Sequence, residues 1–185
     1  MVAIITQEDN LILQTYYTVL LLKQLGEVKF EDSIQFDDLN LPSQIKQSLK
    51  DIGIQNQGSA IMALYAMLVV PKELIEKEFT EEHTKINEFL RTEVTLHQTT
   101  YEKENDLDLT SINFIHHARN SVAHAKISFI PSGSVTFYDK KSTKTKGGVE
   151  KIEEISFSLP LNRFGNFFDS LQNVHLKYIQ KRINS

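Results

Sequence analysis

SINFIHHARNSVAHAKISF, residues 111–129, carries two periodicities in succession, and the junction between them sets the expected architecture. Up to His124 the apolar residues Ile112, Phe114, Ile115, Ala118, Val122 and Ala123 fall on one broad arc at about 100° per residue, which predicts a helix with a buried face. Thr110 or Ser111 is the expected N-cap. Past His124 the period changes to two. Ile127, Phe129, Val135 and Phe137 alternate around Pro131-Ser132-Gly133, and Ile152 to Leu159 alternates again, so a small antiparallel β element is expected over about residues 126–158.

Outward from this junction the chain reads as helices. Thr6 with Asp9 resembles a capping box, and Leu13, Tyr16, Tyr17, Leu20 and Leu21 recur at helical spacing up to Gly26. Pro42 opens a short helix over residues 43–52, and Gly53 to Gly58 reads as a loop. Ser59 is the expected cap of AIMALYAMLVV, whose apolarity all round predicts a buried core helix ended by Pro71. Thr80, Glu81 and Glu82 start another helix, with Ile86, Phe89, Leu90 and Val94 as its stripe. Glu102 to Asp108 is charged and reads as a connector. Pro160 opens the last helix, where Phe164, Phe167, Phe168, Leu171, Val174 and Tyr178 line one face as a packing seam. The expected fold is mainly all-α: a helical bundle forming one domain over residues 1–185, with the β insertion between the motif helix and the C-terminal helix.

The composition narrows the chemistry. Hydrophobic content of 41% with 24% charged residues suits a folded domain of 185 residues. Without cysteine there is no disulfide framework, thiolate metal site or cysteine nucleophile. No secretory leader or membrane span is visible, so a cytoplasmic location is expected. A net charge of −4, with a pI near 5.9, argues against a broad basic face that coats nucleic acid, although not against a local basic site.

The polar residues of the motif helix are placed unusually. Arg119 falls inside the apolar arc, and a buried guanidinium needs carboxylates, phosphates or carbonyls to satisfy it. His117, Asn120 and His124 form a polar stripe on the other flank. On a regular helix Arg119 and His124 project about 140° apart. For both to meet one phosphate, the helix end must unwind or a second copy must supply one of them.

Arg119-Asn120-x-x-x-His124 within FIHHARNSVAHAKISF resembles the R-x(4–6)-H motif of the HEPN superfamily, including a polar residue directly after the arginine, and the chain looks like the small stand-alone HEPN proteins of plasmids and other mobile elements. The resemblance implies a helical bundle and a homodimer in which two motifs face each other to build one composite ribonuclease site. It implies no metal and no cofactor. His124 would be the general acid or base in attack of a 2′-hydroxyl on the adjacent phosphodiester, leaving a 2′,3′-cyclic phosphate and a 5′-hydroxyl. Arg119 would hold the phosphate, and Asn120 would orient either of them or bond the phosphate. His116 and His117 are candidate substrate contacts, with packing as the alternative for His116. Lys140, Lys141, Lys144 and Lys146 would steer an RNA backbone, or are a solvated hairpin tip. The acids Glu76, Glu78, Glu81 and Glu82 read as an exposed helix face. A toxin or defence effector with a cognate antitoxin is the expected setting; a non-catalytic module binding nucleotide, RNA or protein through the same groove is the alternative.

Overall fold

The computed structural model describes residues 6–100, 102–103, 106–107, 109–130, 133–144 and 150–184. Helix α1 (Gln7–Glu27) begins at the expected capping box: the Thr6 hydroxyl accepts the Asp9 N–H at 3.1 Å, and the Asp9 carboxylate accepts the Thr6 N–H at 3.0 Å. A 3-10 turn (Phe30–Asp32), α2 (Ile34–Asp37) and α3 (Ser43–Ile52) follow.

Helix α4 (Gln57–Leu64) starts earlier than expected, because Asn56 rather than Ser59 is the cap; the Asn56 side-chain oxygen accepts the Ser59 N–H at 3.1 Å. It runs on as a π-helical turn (Tyr65–Val69). The expectation that this run is buried on all sides fails. Ala63, Leu64, Met67 and Leu68 are buried, but Met62 and Tyr65 are 63% and 47% exposed, since only one face meets the bundle. Pro71 ends the segment; α5 (Lys72–Glu78) and α6 (Thr80–Glu93) follow, with Ile86 and Leu90 buried.

The β element is larger than its sequence pattern. Strands β4 (Ile127–Ile130), β5 (Ser134–Lys144) and β6 (Glu150–Pro160) form the expected antiparallel unit, but β1 (Thr95–Thr99), from before the motif helix, pairs with β6 to give the order β1-β6-β5-β4. The sequence TLHQT is too polar to announce a strand, and its residues are exposed or half-buried. Part of the expected connector, Glu102–Lys103 (β2) and Asp106–Leu107 (β3), forms a separate two-stranded ribbon. The motif helix α7 (Phe114–Ala123) therefore lies between a strand on each side, packed against β5 and the π-helical turn.

One apolar core joins these parts. Phe114 of α7 meets Phe157 of β6 edge-on at 5.2 Å, and Phe157 stacks on Phe137 of β5 at 5.2 Å; all three are fully buried. Each such side chain contributes about 1.5–3 kcal/mol on leaving water. Helix α8 (Leu161–Ile183) adds Phe167, Leu171, Val174 and Tyr178, with Phe164 and Phe168 at its margin, as the seam predicted. Alternation along β5 turns Val135, Phe137 and Asp139 inward and leaves Tyr138 and Lys140 on the other face. That register places a carboxylate in the core layer opposite α7.

His175 of α8 is 3% exposed; its Nδ1 donates to the Leu171 carbonyl at 2.9 Å, and its ring stacks on Tyr16. Burial pushes its pKa down to about 4. Between about pH 6.5 and 4 the unfolded chain binds a proton there that the folded chain refuses, so stability falls as pH falls through that window, on the order of 3 kcal/mol in total. His175→Phe should flatten this slope in denaturant titrations run from pH 7 to pH 4; an unchanged slope would mean that His175 is not its source.

Candidate functional site

Helix α7 opens at Asn113, whose side-chain oxygen accepts the His116 N–H at 3.0 Å. Thr110 and Ser111, the expected caps, instead lie in a 3-10 turn (Leu109–Ser111). At the other end the helix closes with a Schellman arrangement: the Ala125 N–H donates to the Val122 carbonyl at 3.2 Å, and the Lys126 N–H to the Ser121 carbonyl at 2.7 Å. Ala125 takes φ +52°, the left-handed conformation that glycine usually supplies here. His124 is the C-cap residue, exposed, with its backbone N–H on the Asn120 carbonyl at 3.0 Å.

Arg119 lies where the helical arc puts it, 6% exposed against the core. Its Nη1 donates to Glu76 Oε2 of α5 at 3.0 Å, and its Nη2 lies 2.9 Å from His116 Nδ1. The chain of contacts continues. His116 Nε2 lies 3.1 Å from the Asn120 side-chain nitrogen, which donates to Asp139 Oδ2 at 2.9 Å, and the same oxygen takes His117 Nδ1 at 2.8 Å. Glu76, Arg119, His116, Asn120, Asp139 and His117 thus form one connected polar array between α5, α7 and β5.

Protonation in this array is constrained by donors. Guanidinium offers only N–H groups, so His116 Nδ1 accepts and its Nε2 carries the hydrogen, facing an amide nitrogen already committed to Asp139. An imidazolium would present N–H groups to donors on both sides. Burial, the Arg119 charge and His117 accordingly push the His116 pKa below its ordinary value, against the opposite pull of Asp139 and Glu76. Burial alone would raise the pKa of Asp139, but the hydrogen bonds from His117 and Asn120 outweigh it and hold the carboxyl below its usual range.

The structure sorts the candidate residues. Arg119, Asn120 and His116 are brought together, whereas His124 stands apart at the solvent end of the helix, with no side-chain hydrogen bond among the described residues. His117 is 7% exposed and turned into the core layer toward Asp139. Lys140 lies on the sheet face opposite Asp139 and pairs with Glu154 at 3.2 Å. Lys141 is exposed, Lys144 ends β5 in register with Glu150, and Lys146 lies outside the described residues. Of the four acids expected on an exposed face, Glu81 is exposed and the other three are engaged. Glu76 binds Arg119, Glu78 binds Lys181 and Arg182, and Glu82 binds Lys177, so these side chains are partners of other helices rather than a plain solvated face. Glu76 and Asp139 are the residues that sequence reasoning missed; the buried arginine demanded an acid but named none. Beside Arg119 a small hollow is walled by Glu76, His83, Ile115 and His116, and it adjoins a cleft of about 210 Å³ bounded by Thr80, Thr84 and Asn87. No group of three or more potential metal ligands converges among the described residues.

A family model described as HEPN pEK499 p136 matches residues 9–182. The chain belongs to this HEPN family. No curated protein matches it, and no solved structure does. The matched residues take in α7 with Arg119 and His124 and the sheet that carries Asp139. No helix among the described residues of this HEPN chain is long and apolar enough to cross a membrane.

Because Asp139 joins the HEPN motif helix to β5, Asp139→Ala takes away the carboxylate that accepts from the buried His117 Nδ1–H and from the half-buried Asn120 amide. The expected loss is roughly 2–4 kcal/mol at pH 7, read from denaturant unfolding. Since the folded pKa of Asp139 is depressed, its contribution is present above the ordinary carboxyl value of 3.8 and is lost as pH falls below it. The difference from wild type should therefore persist at pH 5 and shrink only in strong acid; a difference already gone at pH 5 would contradict this reading.

Proposed function

We propose that this HEPN protein is a metal-independent endoribonuclease, a single domain over residues 1–185 acting as a homodimer in the cytoplasm, in the manner of a toxin or defence effector. HEPN domains generally bind RNA and dimerise. The observation that carries the reading is the division of the motif: Arg119 is held inside against the core, while His124, on the same helix, is exposed with no side-chain hydrogen bond among the described residues. Two copies facing each other across a two-fold axis would bring one copy's His124 to the other's Arg119. The guanidinium fork would hold a phosphodiester and offset the charge that grows in the transition state. The 2′-hydroxyl would attack phosphorus, the P–O5′ bond would break, and His124 would transfer a proton in one of the two steps. The products are a 2′,3′-cyclic phosphate and a 5′-hydroxyl.

One observation favours a second reading, a non-catalytic module that binds nucleotide, RNA or protein. The Arg119 guanidinium already has a carboxylate partner in Glu76, which a phosphate must displace or share. Because the Glu76 side chain is 38% exposed, water can take over its solvation, and that exchange is cheap compared with opening a fully buried pair.

Incubation of the purified protein with RNA in EDTA decides between them. Wild type should cleave and leave ends that resist ligation until the cyclic phosphate is opened. Arg119→Ala and His124→Ala should each cleave about 10²–10⁴-fold more slowly. RNA bound but left intact by the wild type would establish the binding module; equal cleavage by both variants would remove the motif from the chemistry.

A further inference from the structure

The polar array contains a second histidine suited to proton transfer, and its environment differs from that of His124. His116 is half-buried, shares the wall of the hollow with Arg119, and places Nδ1 one hydrogen bond from the guanidinium, at 2.9 Å. We propose that His116 is the general base of the reaction, taking the proton from the attacking 2′-hydroxyl, and that His124 of the facing copy is the acid that protonates the leaving 5′-oxygen. The assignment rests on the ribonuclease reading above.

The groups around His116 divide the labour. Arg119, Asn120 and His117 reach it from its own helix, Asp139 from β5 and Glu76 from α5, with His83 of α6 on the same wall. Two N–H donors flank the ring, so it is kept unprotonated near neutrality, the state a base needs. His124 stands exposed at the helix end, with no side-chain hydrogen bond among the described residues, and so is open to a facing copy. In the substrate-free chain the Nδ1 lone pair is covered by Arg119. When a phosphate oxygen draws the guanidinium away, that lone pair is uncovered within a hydrogen bond's reach of the site where the phosphate is held. Loss of the positive neighbour also raises the proton affinity of the ring, so substrate binding itself would switch the base on.

The balance closes without any other reactant. The 2′-O–H bond breaks and its proton goes to His116 Nδ1; the 2′-oxygen forms a bond to phosphorus. The P–O5′ bond breaks, and the 5′-oxygen takes the proton of the His124 imidazolium. Solvent then returns one proton to His124 and removes one from His116.

The test compares two RNA oligonucleotides, one with the natural 5′-oxygen and one with a bridging 5′-sulfur at the cleaved linkage, which leaves without needing an acid. Wild-type protein, His116→Asn, His116→Gln and His124→Ala are assayed in EDTA, with melting curves recorded for each. Asn keeps an acceptor near the Nδ1 position facing Arg119, and Gln one near the Nε2 position; neither takes up a proton, so two variants guard against a loss that is merely structural. On natural RNA both His116 variants and His124→Ala should lose about 10²–10⁴-fold. On the sulfur-linked RNA, His124→Ala should recover to within about tenfold of wild type while both His116 variants stay at least about 10²-fold down. The acidic limb of the wild-type kcat/KM profile should also vanish in the His116 variants. Recovery of the His116 variants on the sulfur-linked RNA, or natural cleavage at the wild-type rate, overturns the base assignment while leaving the ribonuclease reading standing. Failure of the wild type to cleave either RNA removes both.

Discussion

A guanidinium placed on the packing face of a helix governs this structure. At 6% exposure the Arg119 guanidinium has little water to solvate it, so protein groups must meet its donors. Glu76 meets it from α5 and His116 from the turn before it on α7. The cost of breaking this arrangement is asymmetric. Removing Arg119 leaves Glu76 partly in water, whereas removing Glu76 strands a buried cation, the kind of loss worth about 3–5 kcal/mol in fully buried pairs and less here because the acid is partly solvated. The second anchor, Asp139, ties the other flank of the same helix to β5 through His117 and Asn120. Helix α7 is thus held by charge on one side and by a shared carboxylate on the other, with Phe114, Ile115, Ala118 and Val122 packed between them.

That anchoring separates the motif into an inner and an outer half. Arg119, His116 and Asn120 are fixed inside one chain, where hydrogen bonds set their orientation and keep His116 unprotonated. His124 lies beyond the last helical turn, at a C-cap held by a left-handed Ala125. A helix that points its arginine inward and its histidine outward does not aim both at one phosphate, and in the proposed dimer a facing copy would supply the missing half.

Much of the frame was legible in the sequence because it depends on local chemistry. The Thr6–Asp9 capping box, Pro42 and Pro160 at helix starts, the seam of α8 and the alternation in β5 and β6 all act within a few residues of chain. Arg119 was legible for the same reason, since helical geometry alone put it on the apolar arc. What sequence left open depends on contacts between distant segments. Strand β1 has too little alternation to be seen and exists because β6 offers it an edge. Glu76 and Asp139 look like any other acids until α5 and β5 are laid beside α7; the length of the side chain and the strand register, not the local pattern, decide that these two are the partners. Asn56 displaced Ser59 as a cap because both are good caps and only the turn from Gly53 chooses between them.

The central claim is that the site is completed across a two-fold interface, and complementation measures it directly. Arg119→Ala and His124→Ala proteins, each inactive alone, are mixed under conditions that allow subunits to exchange, and RNA cleavage in EDTA is followed. Mixed dimers keep one Arg119 and one His124 on different chains. If the composite site is correct, activity returns in the mixture in proportion to the mixed dimer; if both residues must come from the same chain, the mixture stays as inactive as its components.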